Sequence, residues 1–310
     1  MTTSARPATP ATAAARVRLA YVIAALPPLF WAGNFLIARA MRDAIPPLEM
    51  SFWRWTVAFL ILLPFGVGAI RSSLPQIRRE LPMLSVLALL GVTGFSSLVY
   101  VALHHTTAVN AALINSLMPV ATFLFALALL RDRPTAAQTV GVALALAGAS
   151  TIIARGEIGN VLALDVNRGE LLVIAALVCW ALYTVLIKWR PTRLAPSAFL
   201  PVTFGIGAAF HVPFVVWERQ WSGGFAVTTE AVAAILYFAV FPSILAYVFW
   251  NRAVAALGPG RTSTYMYLMP IFSAALGVWL LGEPFGAYHA AGVGLVFAGI
   301  ALVTRRPKGA

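Results

Sequence analysis

Two tryptophans set the chemical question for this chain. Trp31 is followed three residues later by Asn34, and Trp180 three residues later by Tyr183, so each pair shares one face of a helix. Thr93, Ser97, Tyr100 and His104 fall at i, i+4, i+7 and i+11, a continuous polar stripe, and Ser243, Tyr247, Trp250 and Asn251 form a broader face later in the chain. Hydroxyls, amides and large rings in apolar runs hold a small molecule well but are poor at breaking its bonds. Asn115, Met118 and Thr122 share a face around Pro119; Met266, Met269 and Ser273 repeat it around Pro270. A proline lacks the N–H that would bond the carbonyl four residues back, so the Asn115 and Met266 carbonyls are expected to lose a partner and each proline to offer a hinge. Arg54, about six residues into its run, is the deepest base; it has three open roles, snorkelling outward, pairing with Glu49 or meeting a carboxylate on a bound solute.

Other chemistries are missing. The chain has no G-x-x-x-x-G-K-[ST] phosphate loop and no H-E-x-x-H, and Glu49, Glu170, Glu230 and Glu283 all sit at the ends of apolar runs. Without a carboxylate pair at depth, an acid/base hydrolase is disfavoured, so no enzyme activity is expected. The one cysteine, Cys179, excludes an internal disulfide and any cysteine-based metal cluster. No cofactor and no metal are expected, and proton coupling stays open.

These residues are carried by membrane-length elements. Hydrophobic residues make up 61% of the 310 and charged residues 10%, a surface that no water-soluble domain of this size tolerates. The expected class is an all-α membrane protein with spans at 19–40, 48–70, 82–103, 107–130, 135–154, 170–189, 195–217, 231–251, 261–281 and 286–304. Aromatic rings also gather at headgroup depth, yet Trp31 and Trp180 lie about ten residues in from a span end, near the midplane. A net charge of +12 would fit nucleic acid only if it were clustered on one face; here bases punctuate span ends, so no nucleic-acid partner is expected.

The chain is written twice. GVALALAG at Gly141–Gly148 returns as GVGLVFAG at Gly292–Gly299, each closing five apolar runs, and Leu117-Met118-Pro119 returns as Leu268-Met269-Pro270. Five spans per copy is odd, so the second copy enters from the opposite side, an inverted repeat with its working site between the copies. An N-terminus inside puts most of the 22 Lys and Arg in the cytoplasm, among them Arg71, Arg78, Arg79, Arg131, Arg133, Arg190 and Arg193; Arg39, Arg42, Arg155, Arg168 and Arg219 fall outside. The resulting division is a disordered cytoplasmic tail (1–18), a first five-helix repeat (19–154), a periplasmic linker (155–169), a second repeat (170–304) and a cytoplasmic tail (305–310).

The duplicated five-span pattern, the paired Leu-Met-Pro breaks, Leu281-Gly282-Glu283-Pro284 and the Gly141…Gly148/Gly292…Gly299 spans resemble EamA-type carriers of the drug/metabolite transporter superfamily. The first-copy equivalent of Gly-Glu-Pro, Arg131-Asp132-Arg133-Pro134, departs from that pattern. The resemblance implies ten helices, peripheral fifth and tenth spans and a central cavity; the aromatic-rich faces look most like YddG-type amino-acid exporters. Trp31, Asn34, Ser97, Tyr100, Asn115, Met118, Trp180, Tyr183, Ser243, Tyr247, Met266 and Met269 are the expected substrate-binding set, with Pro119 and Pro270 as hinges.

The expected function is secondary transport, as an exporter, of amino acids or similar small metabolites across a bacterial inner membrane. Alternatives are a carrier of sugars, nucleotide derivatives or drug-like molecules, or a non-transport membrane enzyme or assembly factor. The expected partners are a small-molecule substrate and the lipid bilayer; substrate identity and protein partners stay open.

Overall fold

The computed structural model describes residues 10–106, 111, 114–154, 157, 159, 168–281 and 286–304, and among them there is no strand. The helices are α1 (Pro10–Ile23), α2 (Leu26–Met41), α3 (Pro47–Ser72), α4 (Leu74–Ala88), α5 (Phe95–Ala102), α6 (Met118–Leu130), α7 (Ala136–Ile153), α8 (Arg168–Trp189), α9 (Pro196–Ser222), α10 (Thr229–Ala239), α11 (Ala246–Leu257), α12 (Pro259–Ser263), α13 (Leu268–Leu281) and α14 (Ala287–Thr304). Eight helical stretches among the described residues are long and apolar enough to cross a membrane, and α6 is a shorter apolar helix. Gly282–Pro284 and most of the linker expected at 155–169 lie outside the described residues.

Two expected boundaries move. α1 begins at Pro10, inside the stretch expected to be a disordered tail, because its alanine-rich run favours helix strongly. α4 begins at Leu74 rather than at residue 82, with Pro82 inside it. Those extra turns are held by Glu80, which accepts hydrogen bonds from Gln76 one turn earlier and from Thr192 in the second copy.

Equivalent helices pack antiparallel across the interface between the copies. On α7 and α14, a Cβ added at Gly148 would meet the Gly292 carbonyl oxygen at 2.6 Å, and one added at Gly141 would meet that of Gly299 at 2.7 Å. The repeated signature is therefore a backbone-to-backbone contact that only glycine allows. α3 lies along α9 in the same opposed sense, with Gly66 against Ser197 at one end. At the other end Arg219 donates to both oxygens of the buried Glu49, at 2.8 and 3.0 Å. Glu218 caps the start of α3, accepting from the Leu48 and Glu49 N–H groups at 3.0 and 2.8 Å, donors that a helix start leaves unpaired.

The third and eighth apolar runs each contain a π-helical turn, Leu89–Gly94 and Val240–Leu245, 151 residues apart like the glycine signature. A Cβ at Gly94 would come within 2.7 Å of the Leu89 carbonyl oxygen, so the first turn needs that glycine. In the second, Pro242 denies a donor to the Phe238 carbonyl, and the Ser243 hydroxyl donates to it instead at 2.7 Å. A π turn leaves carbonyls without their helical partners, and each copy satisfies the other's. Tyr247 of the second copy donates to the Gly91 carbonyl, while Trp31 Nε1 and Arg54 Nη2 of the first copy donate to the Pro242 carbonyl, both at 3.0 Å.

These contacts set the response to three substitutions. Gly148→Leu should lower the thermal midpoint of detergent-purified protein by several degrees, since overpacking of this kind costs about 1–3 kcal/mol. Gly294→Leu, whose added Cβ meets nothing within 4 Å, should leave the midpoint unchanged. Tyr247→Phe should also lower it, because an unpaired carbonyl at this depth costs about 1–3 kcal/mol. Thermal shift followed by size-exclusion fluorescence reads all three.

Candidate functional site

Where α2, α3, α5, α8 and the breaks before α6 and α13 converge, a small cavity is lined by Trp31, Asn34, Phe35, Arg54, Phe95, Ser96, Val99, Tyr100, Asn115, Trp180, Met266 and Met269. Its volume is about 10 Å³, room for about one water centre. Small-molecule pockets run to about 300–1,000 Å³, so this is a closed conformation of any site that holds a solute.

Rings close it. Trp180, 1% exposed, packs within 5.0–5.6 Å of the ring centroids of Trp31, Phe95, Tyr183, Tyr247 and Trp250. The two repeat-related indoles, Trp31 and Trp180, meet edge to face at 5.0 Å and 84°. Neither faces lipid: Trp31 is 5% exposed. Trp31 donates to the Pro242 carbonyl, Trp55 to Ser96 Oγ at 2.9 Å and Trp250 to Thr184 Oγ1 at 3.1 Å. Trp180 Nε1 is buried without an acceptor among the described residues.

Arg54 is the charged group of this site. It neither snorkels nor pairs with Glu49: it is 3% exposed, and the Glu49 carboxylate belongs to Arg219. Its Nε donates to Ser243 Oγ at 2.6 Å, Nη1 to Tyr100 Oη at 3.0 Å and Asn34 Oδ1 at 3.3 Å, and Nη2 to the Pro242 carbonyl. The guanidinium also stacks 4.7 Å over the Trp55 ring. Tyr100 Oη donates on to Asn34 Oδ1 at 2.9 Å. All of these partners are neutral, and no Asp or Glu lines the cavity among the described residues. Hydrogen bonds solvate the cation here but do not cancel its charge.

The expected site residues separate into two groups. Trp31, Asn34, Tyr100, Asn115, Trp180, Met266 and Met269 line the cavity. Ser97, Met118, Tyr183, Ser243 and Tyr247 stand behind it. Met118 is fully buried in the apolar core, and Tyr183 donates to Asn251 Oδ1 at 3.0 Å. Ser243 and Tyr247 serve Arg54 and the π turn. Pro119 and Pro270 are not mid-helix: each falls in the first turn of its helix, after a break, where the missing N–H costs nothing. The backbone opens before them, at Ser116-Leu117 and in the 3₁₀ turn Thr264–Tyr267.

Sequence reasoning passed over His211. Fully buried on α9, it donates from Nδ1 to the Gly207 carbonyl at 2.7 Å, and its Nε2 lies 2.8 Å from Ser51 Oγ and 3.0 Å from Ser97 Oγ. Ser51 continues to the cavity-lining Ser96 at 2.7 Å. The period-3.6 apolar pattern of α9 hides a single histidine, and both serine partners come from the other copy, far away in sequence. His104 stands exposed, away from this network, with its proton affinity lowered by partial burial and by the neighbouring His105.

Known proteins match the chain along nearly its whole length. A transporter of Bacillus subtilis described as uncharacterized, YyaM, is 29% identical over 90% of this chain and 92% of its own. A probable terminal-alkyne amino-acid exporter of Streptantibioticus cattleyicolor is 28% identical over 90% and 91%. A solved crystal structure, 21% identical, shares the fold with a TM-score of 0.74 over 93% of this chain and 97% of that one. The EamA-like transporter family model matches twice, at residues 18–154 and 167–305. Two copies of one family domain, packed antiparallel around a buried aromatic cavity, make this chain a membrane transporter belonging to the EamA-like transporter family.

Proposed function

We propose that the chain is a secondary carrier that exports amino acids or similar small metabolites across a bacterial inner membrane by alternating access, without enzymatic activity. One observation supports this above the others: the repeat-related Trp31 and Trp180 meet at 5.0 Å at the junction of the two copies, beside a cavity lined by residues of both. A site shared by opposed copies is what rocking exposes to each side in turn. Trp31, Trp180, Phe35 and Phe95 hold the apolar part of the solute, and Asn34, Tyr100 and Asn115 bond its polar part. Ser97, Tyr183, Ser243 and Tyr247 set the positions of those groups. The backbone breaks before Pro119 and Pro270 are the hinges, and both termini are cytoplasmic. A relative described as an amino-acid exporter favours this substrate class over sugars or nucleotides.

Purified protein in liposomes should exchange several radiolabelled amino acids or their simple derivatives faster than protein-free liposomes. Counts equal to the protein-free control over a broad panel would exclude the reading. Trp31→Leu and Trp180→Leu should each cut flux at least several-fold in protein that still elutes as a folded species.

A further inference from the structure

The cavity has a polarity that the proposed function does not use. Among the described residues its one charged group is a cation, Arg54, held by four hydrogen bonds to neutral partners, which leaves one of its five N–H groups over. A second donor, the Trp180 indole N–H, is buried without an acceptor among the described residues. Acceptors are scarce by contrast. Asn34 Oδ1 already takes bonds from both Arg54 and Tyr100, the Pro242 carbonyl takes two, and Asn115 offers only a neutral amide. A site with an uncancelled positive charge, a spare N–H and no carboxylate among its described residues is built for the opposite charge.

We propose that this cavity binds organic monocarboxylates with an apolar body, the carboxylate on Arg54 and the Trp180 N–H, and that it prefers a net anion to the amino-acid zwitterion of the same shape. The proposal rests on the reading that the solute occupies this cavity. A single negative charge cancels the single guanidinium, whereas a phosphate dianion would leave a buried charge over, and an ammonium would bring a second cation into a place with nothing to answer it. The apolar body fits against Phe35, Phe95, Met266 and Met269. The substrate class is therefore aromatic or branched carboxylic acids, such as 2-oxo acids and amine-blocked amino acids.

Three molecules of one shape separate the charges: 3-phenylpropanoate, phenylalanine and phenethylamine. Equilibrium binding of radiolabelled 3-phenylpropanoate to the purified full chain should be displaced well by the unlabelled acid, at least about tenfold less well by phenylalanine, and not by the amine, as a charge-assisted contact of this kind implies. Arg54→Gln should abolish that order, and Arg54→Lys should keep the preference for the anion at reduced affinity. Trp180→Phe keeps an aromatic ring and removes the donor; it should weaken 3-phenylpropanoate several-fold, a result that remains decisive if Arg54→Gln does not fold. Equal displacement by the amine, an unchanged order in folded Arg54→Gln, or unchanged affinity for 3-phenylpropanoate in Trp180→Phe would overturn the proposal. Anion binding without flux would instead remove the transport reading and leave the site, while amino-acid flux indifferent to Arg54 would remove the site and leave transport.

Discussion

Backbone carbonyls at membrane depth need a partner, because lipid supplies none. This protein breaks its own helical ladder at two repeat-related places and then answers each break from the other copy. The Gly91 carbonyl takes the Tyr247 hydroxyl; the Pro242 carbonyl takes the Trp31 indole and the Arg54 guanidinium. Those bonds fix the residues around the cavity. Trp31 cannot swing to lipid without weakening the hold on that carbonyl, and Arg54 cannot leave without doing the same. The π turns thus convert a chain duplication into a joint between copies, and the polar groups of the site are the pins of that joint.

Residue types and spacing reveal part of this site and hide the rest. The duplication, the apolar spans and the depth of Trp31 and Trp180 come from residue types and spacing alone, and those two indoles do meet. The stripe Thr93, Ser97, Tyr100 assumes helical spacing straight through the π turn. Thr93 and Ser97 nevertheless keep one neighbour, α9, and only Tyr100, further along α5, turns to the cavity. Thr93 donates to the Gly207 carbonyl, Ser97 meets His211, and Tyr100 alone reaches Asn34 and the cavity. Gly94 and Pro242 mark the π turns, but glycine and proline have many uses in a helix, and only the hydrogen bonds reveal this one.

Arg54 was half legible. It lies five residues after Glu49, about 140° round a helix, so the two side chains leave α3 in different directions and periodicity disfavours their pairing. Nothing local points Glu49 to Arg219, 170 residues away, an ion pair that ties α3 to α9 and leaves Arg54 to the interior. The division is one of charge by location. The acids gather at helix ends, as with Glu49 and Glu218, while the cavity keeps a cation whose neighbours are all neutral. A buried uncompensated cation is unfavourable by several kcal/mol, and its retention beside a cavity is intelligible if a ligand completes it.

Closure itself constrains how such a carrier works. Five rings pack round Trp180, and each aromatic contact is worth about 0.5–1.5 kcal/mol beyond the area it covers. Opening a space fit for a solute therefore costs several kcal/mol, and a solute can meet that cost only through contacts absent from the closed form. An anion on Arg54 is such a contact, since the closed cavity leaves the charge uncancelled. The motion must spare the π turns, whose bonds between copies have no substitute in lipid. On the proposed reading it falls instead on the breaks before α6 and α13, where a turn and a 3₁₀ segment already interrupt the helical ladder. Bending there moves Asn115, Met266 and Met269 and lets the copies rock about the π-turn bonds, so that the rings round Trp180 part toward one side at a time.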